Sequence, residues 1–596
     1  MNQQIRTVFA ALAGLVLLVN APSPCIAQTK YELTPDSQVQ PDVPKGEMLA
    51  YDVVSPHNAP QYPGIKYHVT VYVPAQYTPD KPACLCVGLD GPGNHPSIVF
   101  DNLIAKKQIP VIIGVFLSSG TIASETTKKP LRFDRCYEWD STNGNLDRFL
   151  EGTVLPEVEN HATRDGRQIH LSHDPNDRMI YGGSSGGVCA FTAAWQRPDL
   201  FRRVYSSIGT FVGMRGADSY PTLIRKTEPK PIRIFLQDGE KDSWNPLFDN
   251  WYTQNRSMEE SLSWAGYDVN HSWGTLGHEG SHSDSVFPDA VKWLWRDYPQ
   301  PIEAGWSPNS MLNAVLNKGE GWSLVSGSYS APTLLTVSPK GEIYFADSAG
   351  AIFRLEEAGS VSLIARTGSP VTAAQFDKDG RLYIAHASLK RIDAIETNGK
   401  ITRIAEGIAA HGMTVLDDKT IYAAEPGEHD ELPSKIWRIK DKTKTLVDTG
   451  LHDASGIILT PEHAMLFAAE KHTQWVYTYI VQPDGTLIDK QRYYWLHIAE
   501  SADGEPGWSD ATDLVDDRSG YLYVATRMGV QICDRNGRVE GILTLPQGPV
   551  TSLAFGGPDS NILYVVSGGK VYRRTMAARG VPCFADPIPL AVHGGG

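Results

Sequence analysis

The stretch Arg178-Met-Ile-Tyr-Gly-Gly-Ser184-Ser-Gly-Gly-Val-Cys-Ala-Phe-Thr-Ala-Ala-Trp195 decides how the first half of the chain is read. It runs from a short apolar strand through a glycine-packed turn into an alanine-rich helix, with a serine at the apex. That serine is centred in Gly182-x-Ser184-x-Gly186. Small residues are needed on both sides, because a side chain at 182 or 186 would strike the adjoining strand or helix. A helix starting just after Ser184 also aims its free N–H groups at the place where an oxyanion would form. Ser185 is centred in an overlapping Gly183-x-Ser185-x-Gly187, but taking Ser184 leaves Gly186 and Gly187 for close helix packing. Ser184 is therefore read as a nucleophile.

A serine hydroxyl is a weak nucleophile without a base and an acid to orient it. Both follow in the chain. Pro231 to Gln237 reads as a buried strand, and Asp238-Gly-Glu-Lys-Asp242 as the loop after it. That places a carboxylate at the sheet's carboxyl edge, where ligands gather in open α/β sheets. Asp242 is the expected acid, with Asp238 holding the turn and Glu240 in reserve. His278, in Gly274-Thr-Leu-Gly-His278, is the expected base, with His271 and His282 as alternatives. His278-Glu279-Gly280-Ser281-His282 also spells H-E-x-x-H, which binds zinc only when both histidines share one helix face. Gly277, Gly280, Ser281 and Ser283 argue against a helix there.

Around this core, Ala83 to Leu89 reads as an inner strand ending in Asp90-Gly91-Pro92-Gly93. The backbone N–H groups of Ser185 and Gly91 are the expected oxyanion donors. Glu138, Trp139 and His282 are expected to line a substrate pocket.

From about Pro44 to Pro299 these features resemble the enterochelin-esterase-like branch of α/β-hydrolases, related to feruloyl and acetyl-xylan esterases. The resemblance rests on Asp90-Gly91, Arg135-x-x-Glu138-x-Asp140, the Ser184 turn with its following helix, Asp238-Gly-x-x-Asp242 and Gly277-His278. It implies carboxylic-ester hydrolysis with Ser184, Asp242 and His278 as the triad and no cofactor. It leaves the acyl group and the alcohol open.

At 596 residues the chain calls for at least two domains. A net charge of -14 speaks against general affinity for nucleic acid. Residues 1–27 read as a cleaved secretory signal: Arg6, an apolar run from Val8 to Val19, then Cys25-Ile-Ala27. The expected location is periplasmic or secreted, with no transmembrane segment in the mature chain. Export permits disulfides, and Cys136 with Cys189 is a candidate pair, free buried thiols being the alternative.

Past Trp295 the pattern changes. Residues 300–317 read as linker between a hydrolase domain at 28–299 and a second domain at 318–596. In the latter a turn followed by an alternating strand recurs, with an aromatic marker at Tyr344, Tyr383, Tyr422, Phe467, Tyr523 and Tyr564. A period of roughly 40 residues with no long helix is the mark of β-propeller blades. Six repeats predict six blades. This half resembles the gluconolactonase and senescence-marker-protein family of propellers, whose members hold a divalent metal in the central channel. At the implied ligand positions stand Thr333, His411 and Ser455, and the aspartate position falls at Asp510 or Asp513. No metal is therefore expected, and the domain is read as a binding or scaffolding module.

The expected fold is thus an α/β-hydrolase domain followed by an all-β six-bladed propeller. The leading expectation is an exported serine esterase acting on acetyl or feruloyl esters linked to polysaccharide. A siderophore-type esterase, a prolyl-oligopeptidase-like peptidase, a bifunctional esterase/lactonase and a non-catalytic binding protein are the alternatives. The peptidase reading suffers because Ser184 and His278 precede every blade. Since the whole triad lies within residues 28–300, that part alone is expected to keep activity on a small ester.

Overall fold

The computed structural model describes residues 31–590 apart from 125, 128, 326–328, 357–358, 428–432, 502–506 and 546–547. The expected signal segment lies outside the described residues.

The first half is built on a ten-stranded sheet. Six strands run parallel, in the spatial order Asp268–Gly274, Arg233–Gly239, Arg203–Ser207, Arg178–Gly183, Cys84–Leu89 and Ile112–Leu117. Lys66–Val73, Glu47–Val54 and two short strands extend it antiparallel. The central strands are buried from end to end, which is why they read as unbroken apolar runs rather than alternating ones. Helices cover both faces. Val188, Ala190, Phe191 and Ala194 of helix Ser185–Gln196 enter one core, while Phe287, Ala290, Val291 and Leu294 of helix Gly280–Leu294 enter the other. Strand Arg178–Gly183, which leads into Ser184, lies inside the sheet. Leu89, Gly183, Gly239 and Gly274 all end at the same carboxyl edge, so the loops after them converge.

The second half consists of six four-stranded antiparallel sheets. Each aromatic marker of the sequence repeat falls on the second strand of its blade, from Ile343–Asp347 to Ile562–Ser567. The ring is closed by Ser323–Leu324, which pairs with Lys570–Thr575 and joins the start of the domain to its last blade. That pairing removes an open edge between the first and last blades.

The stretch 300–317 is not a free linker. It carries helix Ser310–Val315, started by the Asn309 side chain, which accepts from the N–H groups of Met311 and Leu312. Met311, Leu312 and Val315 are buried against the last two blades. The two domains also touch directly. Leu223 packs against both the hydrolase core and a propeller core, Glu228 N–H donates to Ile542 O at 3.0 Å, and Thr142 N–H donates to Glu500 at 2.6 Å. Cys136 and Cys189 are both free thiols, one exposed and one buried, so the candidate bridge is not formed. No helix among the described residues is long and apolar enough to cross a membrane.

Candidate active site

Ser184 stands at the junction of strand Arg178–Gly183 and helix Ser185–Gln196 with φ 57° and ψ -122°. A non-glycine residue held at positive φ is strained, and such strain concentrates at functional sites. The neighbours hold it there. Ser184 N–H donates to Ser207 O at 2.9 Å, and its carbonyl accepts from Gly187 and Thr210. The glycine requirement inferred from sequence has a concrete cause: a Cβ on Gly182 would lie 2.4 Å from Gly186 O, and one on Gly187 2.8 Å from Ser206 Oγ.

The structure brings Ser184, His278 and Asp242 together. Ser184 Oγ is 2.9 Å from His278 Nε2, and His278 Nδ1 is 2.8 and 3.0 Å from the two Asp242 oxygens. Burial opposes ionisation of Asp242. Hydrogen bonds from His278, Asp238 and the Ser243 N–H nevertheless hold its carboxyl below the ordinary value. An ionised, buried Asp242 accepts only, so it fixes the imidazole with its proton on Nδ1 and leaves Nε2 to accept from Ser184.

Asp238 is fully buried beside Asp242. Burial first, then the hydrogen bond to Asp242 and the charge of that residue, push it far above the ordinary carboxyl range. It accepts from Gly239 N–H at 2.7 Å and from Asn255 Nδ2 at 2.9 Å. A protonated Asp238 therefore donates to Asp242 and braces it. Two carboxyls this close do not both ionise. Glu240 is exposed and His271 stacks on Trp273 at 4.8 Å; neither reserve candidate meets Ser184.

Three expected pocket residues do not line the site. Glu138 is 1 % exposed and is held by Tyr67 Oη–H at 2.6 Å and Gly120 N–H at 2.9 Å. Trp139 is fully buried, with its indole N–H on Asp90 at 2.9 Å. His282 is buried, bonded to Gln237 and Ser272 and stacked on Tyr31. These side chains brace the walls from behind. Helix Gly280–Leu294 begins after His278, so the H-E-x-x-H histidines do not share one helix face.

Ser185 N–H, at the first position of the helix, flanks Ser184. Gly91 does not supply a second donor, since its N–H donates to Leu117 O at 3.1 Å. Asp90, one residue earlier at φ 66°, lies beside the turn: its carboxylate would be 3.2 Å from a Cβ on Gly186. Arg135 grips that carboxylate with two bonds, of 2.9 and 2.7 Å, and reaches Ser185 Oγ at 3.0 Å. Exposed apolar side chains stand near these residues in the chain: Trp244 and Leu247 follow Asp242, and Leu131 and Phe133 precede Arg135. Asp90 and Arg135 lie in the motifs that carry the family resemblance, Arg135 in a segment that reads as a pocket lining, whereas Thr210 carries no local signal in the sequence.

The propeller channel encloses about 280 Å³. Its mouth does not suit the divalent metal that the sequence resemblance implied there. Thr333 Oγ1 donates to Ala346 O, Thr372 Oγ1 to Ala410 O and Ser455 Oγ to Ala511 O, so these hydroxyls are spent on backbone carbonyls. Asp513 is half-buried and capped by Ser552 Oγ and two N–H groups; Asp510 pairs with Arg527. His411 has its imidazole lowered by burial and by the charge of Lys471, which lines the same cavity. A hard cation needs a cage of free oxygens, and here a cation is already built in. Among the described residues no group of three His, Cys, Asp or Glu could hold a metal ion.

Two family models match the chain. One, described as a putative esterase, covers residues 61–299; the other, an SMP-30/gluconolactonase/LRE-like region, covers residues 334–569. An esterase region is thus followed by a gluconolactonase-like six-bladed propeller. It is similar to the pentonolactonase XacC of Haloferax volcanii, with 25% identity over 231 residues, 33% of this chain and 77% of that protein. Among solved structures, a putative gluconolactonase matches at 17% identity and TM-score 0.40, over 46% of this chain and 98% of that one. The enterobactin esterase FES from Shigella flexneri matches at 19% identity and TM-score 0.33, over 44% of this chain and 63% of that one.

Proposed function

We propose that the esterase-family domain is a serine carboxylic-ester hydrolase acting on acetyl or feruloyl esters linked to polysaccharide, exported to the periplasm or beyond. The observation that carries the catalytic part is the Ser184–His278–Asp242 array, with successive contacts of 2.9 and 2.8 Å.

In this reading His278 Nε2 takes the Ser184 proton as Oγ bonds to the acyl carbon, and the carbonyl electron pair moves onto oxygen. The N–H groups of Ser185 and Asp90 receive that oxyanion, Asp90 replacing Gly91 because its N–H makes no backbone bond among the described residues. The imidazolium then protonates the departing alcohol. A water, deprotonated by the same nitrogen, releases the acid. The exposed side chains of Trp244 and Leu247, which follow Asp242, and of Leu131 and Phe133, which precede Arg135, offer apolar surface for an acyl or aryl group. The propeller serves as the binding or scaffolding partner. The spent hydroxyls of its channel disfavour a second, metal-dependent lactonase activity.

The test is a hydrolysis panel on the mature chain: p-nitrophenyl acetate, methyl ferulate, acetylated and feruloylated xylan, aldonolactones and a prolyl peptide substrate, each repeated with Ser184→Ala. Ester turnover that vanishes in the variant supports the reading. Turnover of the peptide alone, or of an ester at undiminished rate in Ser184→Ala, overturns it.

A further inference from the structure

The nucleophile has a second hydroxyl neighbour. Thr210 Oγ1 lies 3.3 Å from Ser184 Oγ and is held there on two sides: Thr210 N–H donates to Ser184 O at 3.1 Å, and Trp251 Nε1–H donates to Thr210 Oγ1 at 3.2 Å. Both residues are buried, Thr210 at 2 % and Trp251 at 7 % exposure. Trp251 is itself fixed, opening a helix capped by Asn250 and passing its carbonyl to Asn255 Nδ2 at 3.0 Å. Its ring meets His278 edge-on, with centroids 6.1 Å apart.

The ends of this chain of contacts decide which way every proton points. An indole N–H only donates, so Thr210 Oγ1 must accept from Trp251. At the far end an ionised carboxylate only accepts, so His278 carries its proton on Nδ1 and Nε2 accepts from Ser184. The single Ser184 proton is then committed to His278. It follows that the 3.3 Å contact is Thr210 donating to Ser184, never the reverse. The order Trp251, Thr210, Ser184, His278, Asp242 is a one-way series of donors.

We propose that Thr210 is a catalytic residue, its hydroxyl stabilising the negative charge that collects on Ser184 Oγ as the proton leaves for His278. The proposal rests on the serine-esterase reading and deepens it. In the resting site the bond is long and joins neutral groups. As Oγ becomes anionic it turns into a charge-assisted bond, which is shorter and roughly twice as strong. An interaction that strengthens between ground and transition state accelerates the step rather than tightening substrate binding. Thr210 keeps its own proton throughout. The Ser184 proton goes to His278 Nε2, the Oγ–acyl bond forms, and the carbonyl electron pair moves to oxygen. In the reverse sense, when the acyl-enzyme is cleaved, the same hydroxyl receives the departing Ser184 oxygen. A purely structural threonine would matter through its methyl group and backbone, both of which valine preserves.

The experiment compares Thr210→Val, Thr210→Ser and Trp251→Phe in the full chain. One readout is the rate of covalent labelling by a fluorophosphonate, a single chemical event at the nucleophile; the other is kcat and KM for p-nitrophenyl acetate. Removing an oxyanion donor typically costs about 10²–10³-fold, and this contact is longer, so Thr210→Val should slow labelling and kcat by about 10–100-fold with KM unchanged. Thr210→Ser should stay within about threefold of wild type. Trp251→Phe frees the Thr210 hydroxyl to rotate and should fall between. If Thr210→Val does not fold, Thr210→Ala must show the same loss. Wild-type labelling rates in the valine variant, or a serine variant as slow as valine, overturn the role of the hydroxyl. A wild-type chain that takes no label at Ser184 overturns the esterase reading and this proposal together.

Discussion

Arg574, on the last strand of the propeller, grips Glu228 of the hydrolase domain with two parallel bonds of 2.6 and 2.7 Å. The guanidinium side chain is 1 % exposed while the carboxylate keeps 24 % of its surface. The pair is therefore asymmetric. Glu228→Ala strands a buried cation, whose remaining polar contact is Glu320 O, and should cost about 3–5 kcal/mol. Arg574→Met leaves a carboxylate that water can reach and should cost clearly less. Urea unfolding of both variants checks the order; equal losses would show that burial of the cation is not what makes this contact matter.

The same interface bears on separating the halves. Residues 28–300 contain the whole triad, as read from the sequence. They lose Arg574 from Glu228 and Glu500 from Thr142 and Arg215. Expressed alone, they should hydrolyse p-nitrophenyl acetate yet melt below the hydrolase transition of the full chain. An unchanged melting point would mean that the docking contributes nothing to stability.

Asp238 and Asp242 lie four residues apart and have opposite tasks. Asp242→Asn cannot accept from His278 in the required sense and turns the imidazole to the wrong tautomer, a loss on the order of 10⁴ in kcat. Asp238 is neutral and donating, so Asp238→Asn keeps a neutral donor beside Asp242 and should stay within about tenfold of wild type. Asp238→Ala removes the brace and should fall further. A larger loss in Asp238→Asn than in Asp242→Asn would reverse the assignment of the acid.

The triad residues were legible because each stands just past the end of a strand that announces itself by an apolar run and a glycine turn. The six blades were legible because one aromatic recurs in register. What stayed hidden depends on distant partners. Glu138 and Trp139 look like a pocket lining in a row of charges and rings. Their burial is set by Tyr67 and Asp90, 71 and 49 residues away. Gly91 stands where an oxyanion donor is expected, yet its N–H donates to Leu117 O, and Glu228 with Arg574 meet across 346 positions. Local spacing carries no trace of such pairs.

The channel chemistry predicts indifference to metal. EDTA should leave ester hydrolysis unchanged, and calorimetric titration of the full chain with calcium or zinc should give no stoichiometric heat. Tight binding accompanied by lactone turnover would show that Thr333, His411 and Ser455 still form a site. Lys471→Ala, which removes the resident cation, is the variant in which weak metal binding could first emerge.

The last expectation concerns acid. Lys226 Nζ, from the hydrolase domain, donates to His497 Nε2 of the propeller at 3.0 Å. Burial first, and the charge of Lys226 second, push His497 down to about 4 from 6.5. Between those two values the unfolded chain holds a proton that the folded chain refuses. Stability linked to this residue therefore rises with pH across the window, is fully present above about 6.5, and is lost as pH falls towards 4. Lys226 is also lowered by burial, so a proton on His497 would enter a desolvated site whose nearest neighbour already disfavours added positive charge. In His497→Gln the amide oxygen can still accept from Lys226 and nothing titrates. The urea midpoint of the wild-type chain should drop more steeply between pH 6.5 and 4 than that of His497→Gln, with the two curves meeting near pH 8. Parallel curves across the whole range would remove His497 as the source of acid sensitivity.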